Sequence, residues 1–463
     1  MTNPLESENH PIRSLCNAAI RTLYGDTAPE LAVSRVEEEL GHILRKGFAE
    51  PYLAAARIAD RAKSAGYLTA PRGSVGSSFV AYLLGITDSN PLPPHYLCRK
   101  CRHFEWAANG TGSGFDLPNK QCAECGSEWV GDGHRIPYEM FLGIDGNTPP
   151  NIDIYVPKEF EEEEQKELRL YTDNLGSDSS QPLVDLFAHE ELSIMKRLHA
   201  LTGVHPRDIP MNDPEVLSLF RSTGALGVTS GQIKSGVATY GVPEMGIQWV
   251  REMLGIMQPS TFTELVQISG LSHGNGTWEG NAKERMQAGR SSLTESIGSR
   301  DQLMLDLMEY GIEQDKAYAI ANDVRKGKGI SDSFREVMLK SKVPDWYMES
   351  CQKIQYLFPK SFAVSYVIMA VRSAFYKLYY PLEFYASYFS VRGRDLDMEL
   401  CTQGREAILK SLEEKKEDAM DRFPLELALE MTARGLRLKK NIRGSDSEYV
   451  IESDRGILEI PLK

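Results

Sequence analysis

Four cysteines in two pairs are the residues of this sequence whose spacing most clearly predicts chemistry. Cys98 and Cys101 form one CxxC pair, and Cys122 and Cys125 form a second pair about twenty residues later. Each pair places two thiolates on one tight turn, and two such turns can supply the four ligands of a tetrahedral zinc ion. Because the protein would fill all four positions, we expect a structural zinc site. The alternative is a loop that carries four reduced thiols.

A second candidate site lies on two short apolar segments that carry acidic and amide side chains. Pro150–Asp153 reads Pro-Asn-Ile-Asp, and Asp185 lies within Leu183–Phe187. Residues two apart share one face of a strand, so Asn151 and Asp153 are expected side by side. Carboxylates grouped at a strand end are the ligands that two-metal nucleotidyl transfer requires. An amide has no formal charge and cannot bridge two Mg²⁺ ions as a carboxylate does. The alternative is a set of ordinary polar residues at strand ends.

A Gly/Ser-rich loop is the third candidate. It follows a predicted strand and precedes the apolar run Phe79–Gly85, which we expect to be helical. Small residues at such a junction let backbone amides approach a phosphate group, helped by the positive end of the helix. The residues expected to contact phosphate are Arg72, Gly73, Ser74, Gly76, Ser77 and Ser78. The alternative is a simple turn without a ligand.

Length and charge limit the class of protein. The chain has 463 residues, a formal net charge of −13 and 41% hydrophobic residues, which is typical of a globular protein with several domains. Small DNA-binding modules are usually basic, so a DNA contact would need a locally basic segment such as Arg325–Lys328 or Arg434–Arg443. Each segment is otherwise a solvated helix end. The sequence shows no apolar run of about 18 residues and no signal peptide, so we expect no membrane contact and a cytoplasmic location.

The pattern along the chain predicts an α+β fold. Apolar side chains recur at helical spacing in residues 12–66, strands are predicted at 151–155 and 183–187, and residues 212–440 are mostly helical. An acidic and then Gly/Ser/Asp-rich stretch at 157–182 is the predicted linker.

Longer runs of the sequence resemble a known family. They are Arg72–Ala81, Asn90–Tyr96 and Gly112–Pro118 in the first part, and Ala225–Thr229, Glu264–Gly274 and Val324–Gly329 further on. These runs resemble the PolC-type DNA polymerase III alpha subunit of bacteria. The resemblance implies a palm of the polymerase-β-like nucleotidyltransferase type with an inserted four-cysteine zinc knuckle, followed by a mostly helical fingers domain.

The resemblance also implies domain boundaries and residue roles. The N-terminal helices and palm with the phosphate loop would span 1–97, the zinc knuckle 98–135, the shortened remainder of the palm 136–211, the fingers 212–445 and a C-terminal tail 446–463. Asp153, Asp185 and Asn151 would form the catalytic set, with Mg²⁺ on the two aspartates. The fingers would carry basic side chains toward the triphosphate, and the candidates are Arg325, Lys326, Lys328 and Lys360.

The sequence departs from the family pattern where catalysis is concentrated. Asn151 replaces an aspartate, Phe362 replaces a histidine, and only the short linker separates Asp153 from Asp185, where the family has a whole subdomain. We therefore expect weakened Mg²⁺-dependent nucleotidyl transfer from a (d)NTP to the primer end of primer-template DNA. Two alternatives stay open. One is a catalytically inactive paralogue that binds nucleotide, DNA or another replication protein, and the other is a nucleotidyltransferase that acts on a small acceptor.

Overall fold

The fold is of the α+β class, as the sequence predicts. A computed structural model describes residues 10–108, 110–160, 162, 166, 183–393, 397–415, 422–440 and 450–460. The chain forms two compact units, each made of two separate stretches of sequence. Unit 1 contains Met1–His189 and Phe262–Val367, and unit 2 contains Glu190–Thr261 and Ile368–Lys463. The predicted linker 157–182 lies mostly outside the described residues.

The elements follow one another in this order. The first part contains α1 Pro11–Tyr24, α2 Glu30–Lys46, α3 Ala49–Ser64, β1 Ala70–Arg72, α4 Phe79–Leu83, β2 His95–Leu97, β3 Phe104–Trp106, β4 Lys120–Gln121, β5 Glu128–Asp132, α5 Glu139–Leu142, β6 Asn151–Val156 and β7 Leu183–Ala188. Next come α6 Glu190–Thr202, α7 Pro214–Ser218, α8 Ser230–Ile233, α9 Gln248–Met257, α10 Phe262–His273, α11 Lys283–Gln287, α12 Arg300–Glu309, α13 Gln314–Arg325, α14 Asp332–Lys340 and α15 Asp345–Lys353. The last elements are α16 Lys360–Tyr379, α17 Pro381–Arg392, α18 Met398–Thr402, α19 Arg405–Glu414, α20 Arg422–Ala433, β8 Arg437–Lys440, β9 Val450–Glu452 and β10 Ile457–Ile460. Within the described ranges, none of the helices combines the length and apolar character that crossing a membrane requires.

A three-stranded sheet in unit 1 holds the predicted acidic strands. Its order is β1-β6-β7, with β6 antiparallel to β1 and parallel to β7. Side chains alternate between the two faces of a strand, and the face of β6 that carries Ile152, Ile154 and Val156 is fully buried. These side chains belong to the same apolar core as residues of α1, α2 and α3. The helices therefore cover one face of the sheet and leave the other face to Asn151 and Asp153.

The cysteine segment forms a separate four-stranded sheet of unit 1 with the order β3-β2-β5-β4. Its small core contains Tyr96 and Trp129, whose rings stack with centroids 5.2 Å apart. A carboxylate in the same segment, Asp116, accepts hydrogen bonds from the backbone amides of Phe262 at 2.6 Å and Thr263 at 3.0 Å. This segment therefore supplies the cap at the start of α10.

Unit 2 is mostly helical, and a buried ion pair connects its elements. The Lys377 ammonium group is fully buried and donates hydrogen bonds to the Glu430 carboxylate at 2.8 Å and to the Ala238 and Tyr240 carbonyls at 2.7 Å. A buried charge is stable only when ion-pair and hydrogen-bond partners satisfy all of its donors. The predicted C-terminal tail 446–463 contains β9 and β10, which pair in a sheet of order β8-β10-β9.

Candidate active site and cysteine cluster

One row of the unit 1 sheet brings three charged side chains together. Asp153 on the central strand β6 lies opposite Arg72 on β1 and opposite Asp185 on β7. Neighbouring strands of a sheet lie about 4.7–4.9 Å apart, so both aspartates lie within reach of one cation. Asn151 lies two residues before Asp153 and is exposed on the same face. The structure thus brings together the residues predicted as the catalytic set.

The two aspartates differ in environment. Asp153 is 8% exposed, and Asp185 is exposed. Burial, followed by the negative charge of Asp185, raises the pKa of Asp153, while Arg72 and then Asn151 act in the opposite direction. Arg72 Nη1 donates to Asp153 Oδ2 at 3.2 Å. Among the residues that the structure describes, Asp153 Oδ1 has no hydrogen-bond partner although it is buried.

These features fit a divalent cation. A buried carboxylate oxygen without a partner is unfavourable unless a proton, a water molecule or a metal ion satisfies it. Mg²⁺ prefers oxygen ligands and is usually bound by one or two carboxylates. Asp153 and Asp185 supply two formal negative charges, whereas Asn151 supplies an amide oxygen without a formal charge. The residues present therefore suit one Mg²⁺ ion better than two.

The Gly/Ser loop has the predicted order of strand, loop and helix. Gly73 follows β1 with a φ of +70°, and Val75–Ser77 forms one 3₁₀ turn before α4. Positive φ favours glycine, because a Cβ would be strained there. The loop is next to the aspartates, since a Cβ on Gly73 would lie 3.8 Å from Asp153 Oδ2. Ser77 is fully buried, and its hydroxyl has no hydrogen-bond partner in the described part of the chain.

The start of α4 differs from the prediction. The carboxylate of Glu39 accepts hydrogen bonds from the Ser78 hydroxyl at 2.7 Å and from the amides of Phe79 at 3.0 Å and Val80 at 3.2 Å. Glu39 is fully buried and is paired with Arg35 at 2.5 Å. An internal carboxylate therefore occupies the positive end of this short helix, where we expected a phosphate. Ser78 caps α4. Its hydroxyl already donates to Glu39, so it is not available to donate to a phosphate as predicted.

Two residues that the sequence analysis did not single out hold the loop. Arg300 Nη2 donates to Ser74 Oγ at 2.7 Å, and Ser361 Oγ donates to the Gly73 carbonyl at 3.2 Å. Arg300 is 3% exposed, and burial lowers its pKa. The sequence does contain a signal for Arg300. It is the first residue of α12, where a cation is unfavourable because it opposes the helix dipole, and this position indicates that Arg300 has a role other than stabilising the helix.

The predicted basic residues fall into two groups. Lys360 begins α16, next to Ser361, and its amide donates to Asp301 Oδ2 at 2.8 Å. Within the described residues the Lys360 ammonium group forms no ion pair, and burial lowers its pKa to about 8. Arg325, Lys326 and Lys328 lie at the end of α13, where Lys328 Nζ contacts Asp323 at 2.9 Å. The Arg325 charge contributes to the lowered pKa of Arg300, after burial.

The four cysteines converge. The Sγ atoms of Cys98 and Cys125 are 3.5 Å apart, those of Cys101 and Cys122 are 3.4 Å apart, and all four lie within 4.8 Å of one another. Hydrogen bonding with Ser127 is the main cause that lowers the pKa of Cys125. The four Sγ atoms are close enough to hold one metal ion between them. No other group of three or more His, Cys, Asp and Glu ligand atoms clusters this way among the described residues.

Comparisons with known proteins show which family the chain resembles. The profile of the bacterial DNA polymerase III alpha NTPase domain matches residues 10–184, and that of the bacterial DNA polymerase III alpha subunit finger domain matches residues 191–345. The PolC-type DNA polymerase III of Bacillus subtilis is 35% identical over 555 residues, which covers 98% of this chain and 39% of the relative. The PolC-type DNA polymerase III of Thermotoga maritima is 36% identical over 568 residues, which covers 99% of this chain and 41% of the relative.

The chain belongs to the bacterial DNA polymerase III alpha family. Its relatives in this comparison are PolC-type members, as the sequence analysis expected. The chain spans about two fifths of the length of the relatives that it matches. The alignment to the Bacillus protein extends over 555 residues although this chain has 463, so roughly 100 residues of the relative have no counterpart here.

Proposed function

We propose that this PolC-like chain binds a (deoxy)nucleoside triphosphate and Mg²⁺ and transfers a nucleotide to a DNA primer end only weakly. The observation that carries the proposal is the row Arg72–Asp153–Asp185 beside the Gly73–Ser77 loop. A cation, two carboxylates and a glycine-containing loop side by side are the parts that phosphoryl-type transfer needs for positioning and charge stabilisation.

The triphosphate would lie against the loop. Two cations would lie beside it, because Arg72 precedes Gly73 and Arg300 is bonded to Ser74. Lys360 begins α16, next to the serine that is bonded to the Gly73 carbonyl. The unpartnered Ser77 hydroxyl and the unpaired Lys360 ammonium, both within the described ranges, favour an anionic ligand with several acceptor oxygens. The basic turn Arg325–Lys328 would add longer-range attraction through Arg325.

Asp153 and Asp185 would hold Mg²⁺, with the free Asp153 Oδ1 as the first ligand atom. When bound, Mg²⁺ neutralises charge that develops on the transferring phosphoryl oxygens. Asp153 on β6 and Asp185 on β7 would hold the ion, and the burial of Asp153 keeps its carboxylate away from bulk water. With an amide at position 151, one ion would bind well and a second poorly, and transfer would therefore be weak.

The cysteine cluster would hold one zinc ion with a structural role. Four thiolates satisfy a tetrahedral zinc ion and leave no position for water or substrate. In this proposal the knuckle 98–135 is inserted into a polymerase-β-like palm formed by 1–97 and 136–211, and the fingers follow at 212–445. Partners would be a (d)NTP, primer-template DNA and another replication protein.

A second candidate is a chain that binds nucleotide and DNA without catalysis. Asn151 specifically favours it, because the lost carboxylate is a candidate bridging ligand. A transferase that uses a small acceptor is the remaining alternative, and primer-free transfer assays identify it.

Primer extension with four proteins tests the proposal. The proteins are the wild type, Asn151→Asp, Asp153→Asn and the double variant, all checked for equal folding by circular dichroism. Each is incubated with a labelled primer-template, dNTP and Mg²⁺, and again with a small acceptor in place of the primer. We expect slow extension by the wild type, faster extension by Asn151→Asp and none by either protein that carries Asp153→Asn.

The pattern of failure identifies the correct alternative. Nucleotide binding without extension by either the wild type or Asn151→Asp supports the binding-only chain. Extension by the wild type that survives Asp153→Asn shows that the metal site has been placed on the wrong residues.

A further inference from the structure

The side chain of Arg72 is held in a defined position by contacts with Asp153 and Phe187 and by an interaction with the Tyr155 side chain. Its Nη1 atom donates to Asp153 Oδ2 at 3.2 Å, and its guanidinium carbon lies 4.2 Å from the centre of the Phe187 ring. Phe187 is on β7, two residues after Asp185, so it supports the guanidinium from the strand that carries the second acid. A cation over an aromatic face is attracted by the ring quadrupole. The contacts therefore hold Arg72 against the carboxylates.

In this position Arg72 competes with a metal ion for the carboxylate of Asp153. The proposed site has two formal negative charges, and the guanidinium already neutralises part of that charge at the more buried of the two aspartates. Two cations that share one carboxylate repel each other, and the repulsion is strong where burial lowers the effective dielectric constant. A metal ion that binds Asp153 must therefore displace Arg72 or tolerate its charge.

The same side chain has an alternative partner nearby. Arg72 directly precedes Gly73, and its side chain is 39% exposed, so it can turn toward the loop without leaving a buried position. A triphosphate carries more negative charge than one carboxylate, and arginine binds phosphate through paired, charge-assisted hydrogen bonds. A triphosphate on the loop would therefore draw Arg72 away from Asp153.

We infer that Arg72 couples the binding of nucleotide to the binding of metal. In the contact that the structure shows, Arg72 acts as the internal counterion of Asp153 and weakens the metal site. A bound triphosphate takes over the guanidinium, releases Asp153 and raises the affinity for the metal. Because binding coupling is reciprocal, the metal raises the affinity for triphosphate by the same factor. This inference rests on the proposed function, since it uses the same loop and aspartates.

The test measures Mn²⁺ binding without nucleotide, by electron paramagnetic resonance of the free ion. The proteins are the wild type, Arg72→Gln, and the control Arg335→Gln, which removes one exposed arginine from α14. We expect Arg72→Gln to bind Mn²⁺ about five- to ten-fold more tightly than the wild type, the size of a typical coupling, and the control to match the wild type. In calorimetry with dATP, Mn²⁺ should then tighten dATP binding less in Arg72→Gln than in the wild type.

A second variant guards against misfolding of the first. Phe187→Leu keeps both Arg72 and Asp153 but removes the ring that supports the guanidinium, so its Mn²⁺ affinity should lie between those of the wild type and Arg72→Gln. Equal Mn²⁺ affinity in all folded proteins would overturn the coupling and leave the metal site standing. Absence of Mn²⁺ binding in every protein would instead overturn the metal site of the proposed function, and the coupling with it.

Discussion

Replacing Lys360 by methionine should stabilise the protein while weakening triphosphate binding. Burial lowers the pKa of Lys360 from 10.5 to about 8, and the attraction of Asp301 and Asp306 offsets this effect only in part. Each pKa unit corresponds to about 1.4 kcal/mol, so the buried charge costs up to about 3 kcal/mol at neutral pH. Lys360 keeps partial contact with solvent, and we therefore expect Lys360→Met to raise the free energy of unfolding by about 2 kcal/mol at pH 7.

The pH dependence has a defined sign. Below pH 8, Lys360 is charged in both the folded and the unfolded protein, so the full cost of burial is present. Between pH 8 and 10.5 the unfolded state binds more protons than the folded state, and the stability contributed by this group rises with pH. The free energy of unfolding of the wild type should therefore approach that of Lys360→Met as the pH rises through this window. Their free energies of unfolding should converge near pH 10.5.

Equilibrium urea unfolding followed by tryptophan fluorescence is the assay. Four of the five tryptophans lie in unit 1 with Lys360, so the signal reports the affected unit. Lys340→Met, at an exposed lysine of α14, is the matched control and should leave stability unchanged. Calorimetry with dATP at pH 7 should show weaker binding by Lys360→Met alone. A less stable Lys360→Met protein, or a difference that does not change with pH, would refute the reasoning.

Three further outcomes are expected. Protein purified without added metal should contain about one equivalent of zinc, and Cys98→Ser should lower it; a zinc content near zero in folded wild-type protein would reject the knuckle. Glu39→Gln should lower the free energy of unfolding by about 3 kcal/mol, because it leaves the Arg35 charge without its buried partner; urea unfolding checks this, and an unchanged midpoint would contradict the capping role. Arg300→Lys should weaken dATP binding by about 1.5–3 kcal/mol, the usual range for a hydrogen bond to a charged group, and unchanged affinity in calorimetry would remove Arg300 from the site.

Local patterns in the sequence predicted the strands and part of the site. Short local runs predicted the strands β6 and β7, whereas the expectation that Asp185 lies beside Asp153 came from the resemblance to the family. The CxxC spacing identified the cysteine cluster, since both ligands of each pair come from one turn. These predictions depend on residues that are close in sequence, and the physical rules that govern them are local.

Contacts between distant residues could not be predicted in this way. Glu39 lies 40 residues before the amide of Phe79 that it caps, and Arg300 lies 226 residues after Ser74. No periodicity links such pairs, because only the tertiary fold brings them together. The division into units shows the same limit: residues 262–367 belong with 1–189, whereas a pass along the chain groups them with their neighbours in sequence.

The most direct test of the central claim is a comparison of single-nucleotide incorporation by the wild type and Asn151→Asp under identical Mg²⁺ and dNTP concentrations. If the site is a PolC-like metal centre weakened by the amide at position 151, Asn151→Asp should raise the incorporation rate. It should also lower the Mg²⁺ concentration at half-maximal rate, because the added carboxylate strengthens binding of the second ion. An equal or lower rate for a folded Asn151→Asp protein that binds both dNTP and Mg²⁺ would contradict the claim.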